Sequence, residues 1–304
     1  MPTEPTPERR RTGLAGLCTC IAAMMGLASG LGVFARGDGE VRAATSIRGE
    51  PFSYATTGVY AFNAERVVAE GVGWDWFTLV IAAPALLAAV PWVARGSLRG
   101  RLFALGLLGY AAYQYLMYAM TWSFGPLFPL FIALYAASLV GVVRIVATID
   151  RAAVVAALGE RFPRRGMAAL CGLMTLVLVG MWTRRIALGL TDEPPQLFGM
   201  TTMVIPALDL GIVVPLCLWT GVTAWRRQPV GYLLSAVLVV KGFAMAVAIV
   251  AMLLSAWAAS GTPEVPALIV FGLFAAALAW LGLRIYVPAS PRPARRHGPL
   301  AVAP

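Results

Sequence analysis

The sequence predicts an all-α, multi-span transmembrane bundle of about eight helices, and three observations carry that reading. Of 304 residues, 60% are hydrophobic and 12% charged, where a soluble domain has about a quarter charged. Mean hydropathy is +0.78. The apolar residues form long uninterrupted blocks rather than the alternating runs of an outer-membrane barrel. Backbone groups in lipid must be satisfied within their own segment, so the blocks are helices.

Crossing ~30 Å of hydrocarbon takes about 20 helical residues. Eight segments qualify, near 14–35, 73–94, 102–122, 126–147, 166–187, 203–224, 230–257 and 266–286. They lie between an N-terminal tail, 1–13, and a C-terminal tail, 287–304, whose Pro288, Pro291 and Pro293 mark it as disordered.

The first segment follows Arg9, Arg10 and Arg11. A competing account makes it a secretory leader cut near Val33-Phe34-Ala35, which leaves seven spans and an exported N-terminus. The loop at 36–72 is glycine-rich and charged and is expected to be flexible. Within it, Asn63 is expected to cap a short surface helix from Ala64 to Glu70.

Arginines then set the orientation. Arg95, Arg99 and Arg101 separate the second and third segments, and Arg151, Arg161, Arg164 and Arg165 the fourth and fifth. Arg226 and Arg227 separate the sixth and seventh, and Arg292, Arg295 and Arg296 follow the eighth. With eight spans all of these fall on one side, the cytoplasm, and both termini are cytoplasmic. Arg184 and Arg185 are the exception, and either snorkel to headgroups or meet an anion. The preference for Arg, with Lys241 the only lysine, suggests a bacterial plasma membrane.

Sliding the sequence by 131 residues brings Pro84 onto Pro215, Ala94-Arg95 onto Trp225-Arg226 and Gly109-Tyr110 onto Val240-Lys241. Two readings stay open, a 4+4 parallel repeat as in some transporters and a chance match of apolar helices.

The net charge of +10 reflects topology rather than nucleic-acid binding, because no basic stripe carries base-stacking aromatics. Cys18, Cys20, Cys171 and Cys217 lie in apolar blocks without the spacing of a zinc site. The one histidine, His297, is in the tail, so histidine-based metal, haem or hydrolase chemistry has no residue to use. No catalytic residue, metal or cofactor is expected, and an enzyme is the less favoured class. Lys241 lacks the surroundings of a microbial rhodopsin, so no retinal is expected either.

Charged side chains inside a span are costly and mark candidate sites. Lys241 falls near the midplane, with Asp209 somewhat outward on the adjacent helix. Tyr110, Gln114 and Tyr118 follow at helical spacing on the third span, with Tyr113 beside them. A common intramembrane polar site is expected from Asp209, Lys241, Gln114, Tyr110 and Tyr118, with Asp75 at its outer mouth. Such a site would bind or transport a small solute or proton. The other reading is a structural or partner-binding subunit in which Asp209 and Lys241 are helix–helix glue. The run TTMVIPALDLGIVVPLCLWTGVTAWRRQPVGYLLSAVLVVKG resembles stretches of bacterial polytopic integral membrane proteins without an assigned activity. That resemblance implies neither substrate nor cofactor.

Overall fold

A computed structural model describes residues 7–37, 39–159 and 162–287. The C-terminal tail with His297, the first six residues, and Arg161 of the basic connections lie outside the described residues. The protein is an all-α bundle. Seven of its helices are long and apolar enough to cross a membrane.

Helix α1 spans Pro7–Phe34, and α2, Glu65–Phe77, runs through a π-helical turn, Thr78–Ala82, into α3, Ala83–Ala94. Helices α4, Leu98–Thr121, and α5, Phe128–Thr148, complete the first half. A short helix α6, Arg151–Leu158, begins at Asp150, whose carboxylate accepts the Ala152 N–H at 2.8 Å, and buries Val154 and Leu158. The second half repeats the plan with α7, Arg164–Thr191, then α8, Val204–Leu208, a π turn at Asp209–Val213 and α9, Val214–Trp225. Helices α10, Pro229–Ser260, and α11, Val265–Tyr286, close it.

Helix α4 is the eighth long helix, and it falls outside the seven that qualify by hydropathy. Its place explains this. It packs against α3, α5 and α10 and buries Tyr110, Tyr113, Gln114, Tyr115 and Tyr118. A helix enclosed by protein needs no lipid-facing aliphatic stripe, so polar and aromatic residues suit it.

The backbone repeats at 131 residues. Both π turns, both following helices and the starts of α4 and α10 hold that register. The connecting turns match as well, with positive φ at Gly96 (74°) and Arg227 (58°). Ser97 N donates to Trp92 O and Gln228 N to Thr223 O, each at 2.9 Å. Gly100 and Gly231 are likewise in register, each pressed against the helix before it. The π turns have a shared cause in Pro84 and Pro215. Proline has no N–H for the carbonyl four residues back and its ring clashes there, and a widened turn just upstream relieves both. Packing is duplicated too: α1 on α3 matches α7 on α9, and α4 on α5 matches α10 on α11. The halves join where α4 crosses α10 and where α2 crosses α10.

The segment expected to be flexible is built. Strands β1, Val41–Thr45, and β2, Pro51–Ala55, form an antiparallel hairpin with Arg42 opposite Tyr54. Asn63 does not cap a separate helix, because α2 runs unbroken into its span and starts after Ala64 without a side-chain cap. Its amide instead holds the loop, donating to Tyr60 O and Ala61 O and accepting from Ser123 N at 2.8 Å. Glu50 clasps the hairpin to the second half: its carboxylate accepts the Leu197, Phe198 and Gly199 N–H groups at 2.9, 2.9 and 3.2 Å. Arg185 donates to Gln196 O and, like Arg66, stacks on the Phe198 ring. Arg66 also pairs with Glu70 and Glu264.

Hydrogen bonds to a charged acceptor contribute about 1.5–3 kcal/mol each. Glu50→Ala is therefore expected to loosen the clasp, read as faster amide exchange at 196–200 and a melting temperature lower by several degrees. Unchanged exchange there would show that the clasp contributes nothing.

Candidate functional site

The six candidate residues fall into two groups on different sides of α4. The first gathers around Asp75, which is 1% exposed. Helix α2 carries it inward, and Tyr60 O–H from the outer loop donates to Oδ2 at 2.5 Å while Tyr118 O–H from α4 reaches Oδ1 at 3.3 Å. Burial, and then the neighbouring Asp75 carboxylate, push the Tyr60 phenol above its ordinary range, so it stays a donor. Gly32 of α1 is required here, because a Cβ would overlap the Asp75 carboxylate and the Tyr60 hydroxyl. Tyr60 also stacks on Trp122 with centroids 4.0 Å apart.

One turn deeper, Thr78 bonds Tyr110 O–H at 2.7 Å and donates to Gln114 Oε1 at 3.1 Å. Gln114 Nε2 is buried beside them without a hydrogen-bond partner among the described residues, and Trp74 Nε1, Tyr115 Oη and Ser29 Oγ are buried in the same cluster. Asp75 is thus no outer mouth to the Asp209 site. It belongs with Tyr110, Gln114 and Tyr118 in the first half.

The second group forms around Asp209 and Lys241. Asp209 opens the second π turn, and α4 and α7 each send it a donor: Tyr113 O–H to Oδ1 at 2.6 Å and Trp182 Nε1–H to Oδ2 at 2.8 Å. Lys241, on α10, sits with Nζ 4.6 Å from the centroid of the Tyr113 ring. No salt bridge within 4 Å joins it to Asp209 among the described residues, and its ammonium has no hydrogen-bond acceptor there. Both side chains line a cavity of about 70 Å³ whose other walls are apolar, among them Met174, Val177, Met245 and Phe274.

The repeat relates the two groups. Thr78 and Tyr110, which share a hydrogen bond, occupy the positions of Asp209 and Lys241 in the other half. One half holds a neutral, hydrogen-bonded pair, and the other an acidic and a basic side chain that line one cavity without a hydrogen bond between them. Tyr113 brings the first half into the second site, which therefore lies at the α4–α10 contact between halves.

Three partners escaped the sequence reading. Tyr60 lay in a loop expected to be flexible, Trp182 drew no reading from the sequence, and Gly32 is legible only through what it touches. Tyr113 stood beside the polar stripe but off its face, and that offset is what points it at Asp209.

A bundle that turns leucines such as Leu173, Leu176, Leu273 and Leu283 outward, and buries two carboxylates and an amide, is a multi-pass membrane protein in contact with lipid. Set against known proteins, the chain matches no family model, and no curated sequence or solved structure is significantly similar to it.

Proposed function

We propose that the protein crosses a bacterial plasma membrane eight times, with both termini cytoplasmic, and binds and carries a small solute at the Lys241 cavity. Enclosure of α4 by protein accounts for its modest hydropathy, which supports the eighth crossing, and eight crossings keep the arginine-rich connections on one side. A C-terminal alkaline phosphatase fusion is expected to be inactive and a C-terminal fluorescent protein bright, and the reverse pattern would refute the orientation.

The observation that carries the binding reading is the Lys241 ammonium, which faces a largely apolar cavity with the Tyr113 ring against it, Asp209 on the cavity wall and no hydrogen-bond acceptor among the described residues. An ammonium held in low dielectric with unfilled donors is costly, and an acceptor ligand relieves that cost. Transporters built from parallel repeats place substrates at the contact between halves, and the Tyr113 ring brings the first half to the Lys241 cavity in the second. Asp209 has a different part in this reading. Two donors from two helices engage it, so it anchors α4 and α7 while Lys241 meets the ligand.

The test is thermal unfolding in phosphatidylcholine nanodiscs against small anions, cations and neutral solutes. At least one solute is expected to raise the melting temperature of the wild type but not of Val177→Trp, which fills the cavity from α7. If no solute distinguishes the two proteins, the cavity is not a binding site.

A further inference from the structure

The position of the cavity in the bundle narrows the ligand. In the first half α1 buries residues along most of its length, from Leu14 to Val33, and α5 from Phe131 to Ile145. Their counterparts do not. Helix α7 buries only Met167, Leu170 and Cys171, near its start, and α11 only Phe274, Leu278, Leu281 and Ile285, toward its end. The two helices run antiparallel, so their fully buried residues lie at the same end of the bundle, while α7 beyond Cys171 and α11 before Phe274 hold only partly buried or exposed side chains, Met174, Val177 and Trp182 among the former. The Lys241 cavity lies along this partly buried stretch, with Met174 and Val177 on one wall and Phe271 on the other. Those walls belong to α7 and α11, the helices with the least buried surface, which puts the cavity on the lipid-facing side of the bundle.

Resting on the binding reading above, we infer that this cavity admits a compact organic acid, an apolar body bearing one carboxyl group, directly from the bilayer and holds its carboxylate against Lys241. Three features select that class. A lone cation with unfilled donors favours a monoanion. Apolar walls offer a hydrated inorganic ion or a sugar nothing to replace its water shell. A cavity on the lipid-facing side favours molecules that partition into hydrocarbon, as a carboxylic acid does in its protonated form. The acid brings its own proton, so the site's net charge is unchanged on entry. The ligand's O–H bond breaks and an O–H bond to the Asp209 carboxylate forms, so the proton stays in the site on Asp209 while the ligand lies as a carboxylate against Lys241.

The experiment is titration calorimetry of the full chain in phosphatidylcholine nanodiscs with benzoate, benzyl alcohol and benzylamine. Benzoate is expected to bind saturably and at least tenfold more tightly than benzyl alcohol. Lys241→Met is expected to erase that difference, and Lys241→Arg to keep most of it. Val177→Trp should abolish saturable binding, and a melting curve for each variant confirms that it is folded. Equal affinity for benzoate and benzyl alcohol, or benzoate binding indifferent to Lys241→Met in a folded protein, overturns the inference, as does no saturable benzoate binding. Benzylamine binding that Val177→Trp removes would also overturn it while leaving the binding site itself standing.

Discussion

Gly73→Val is expected to prevent recovery of folded protein, whereas Gly172→Val on α7 leaves the yield and melting temperature unchanged. Gly73 sits where α2 crosses α10, and a Cβ there would lie 2.7 Å from the carbonyl carbon of Ala251 and from the Cα of Met252. Those are backbone atoms of a 32-residue helix and have no rotamer to change. The strain must be met by separating the helices, which also loses the contacts on either side. Small-residue crossings in membranes depend on such close approach, since lipid supplies no hydrophobic drive to restore it. Overpacking of side chains costs about 1–3 kcal/mol, and a backbone collision costs more. This crossing also joins the two halves, so the loss is not confined to one helix pair. Gly172 has nothing within 4 Å of its added Cβ and serves as the control. Size-exclusion recovery in detergent with a melting curve reads both, and a monodisperse Gly73→Val protein melting like the wild type would refute the crossing.

Most of the architecture was legible because lipid imposes long apolar blocks, and such blocks are what a sequence shows most clearly. The 131-residue slide was legible through Pro84 and Pro215, whose missing N–H groups force the same π turn in both halves. Depth along the helices was legible too, since residue counts gave Lys241 and Asp209 neighbouring levels. Rotation about the helix axis was not. A stripe at spacing four identifies residues sharing a face without saying which neighbour that face meets, so Tyr110, Gln114 and Tyr118 were joined to Asp209 although they meet Thr78 and Asp75. The outer hairpin was hidden for another reason. Its order comes from Glu50 binding backbone N–H groups 147 to 149 residues away, which no local pattern records.

The same question of rotation decides what Asp209 is worth. If Asp209 and Lys241 were a direct pair, each single replacement would strand a charge in low dielectric and the double replacement would restore stability. The geometry leads elsewhere. Asp209 accepts from Tyr113 at 2.6 Å and Trp182 at 2.8 Å, while Lys241 stacks on the Tyr113 ring. Asp209→Ala leaves a buried phenol and an indole N–H without an acceptor, a loss of about 1–2 kcal/mol for each bond in a membrane interior. Removing Lys241 supplies neither donor with a partner. The Asp209→Ala/Lys241→Met double variant is therefore expected to keep at least half of the destabilisation of Asp209→Ala alone. Trp182→Phe should be strongly coupled to Asp209→Ala, because with the carboxylate gone the indole has no bond left to lose. Melting curves of the four proteins in each cycle decide between the two. A double variant with Lys241→Met as stable as the wild type would make the pair helix glue and take Lys241 away from any ligand.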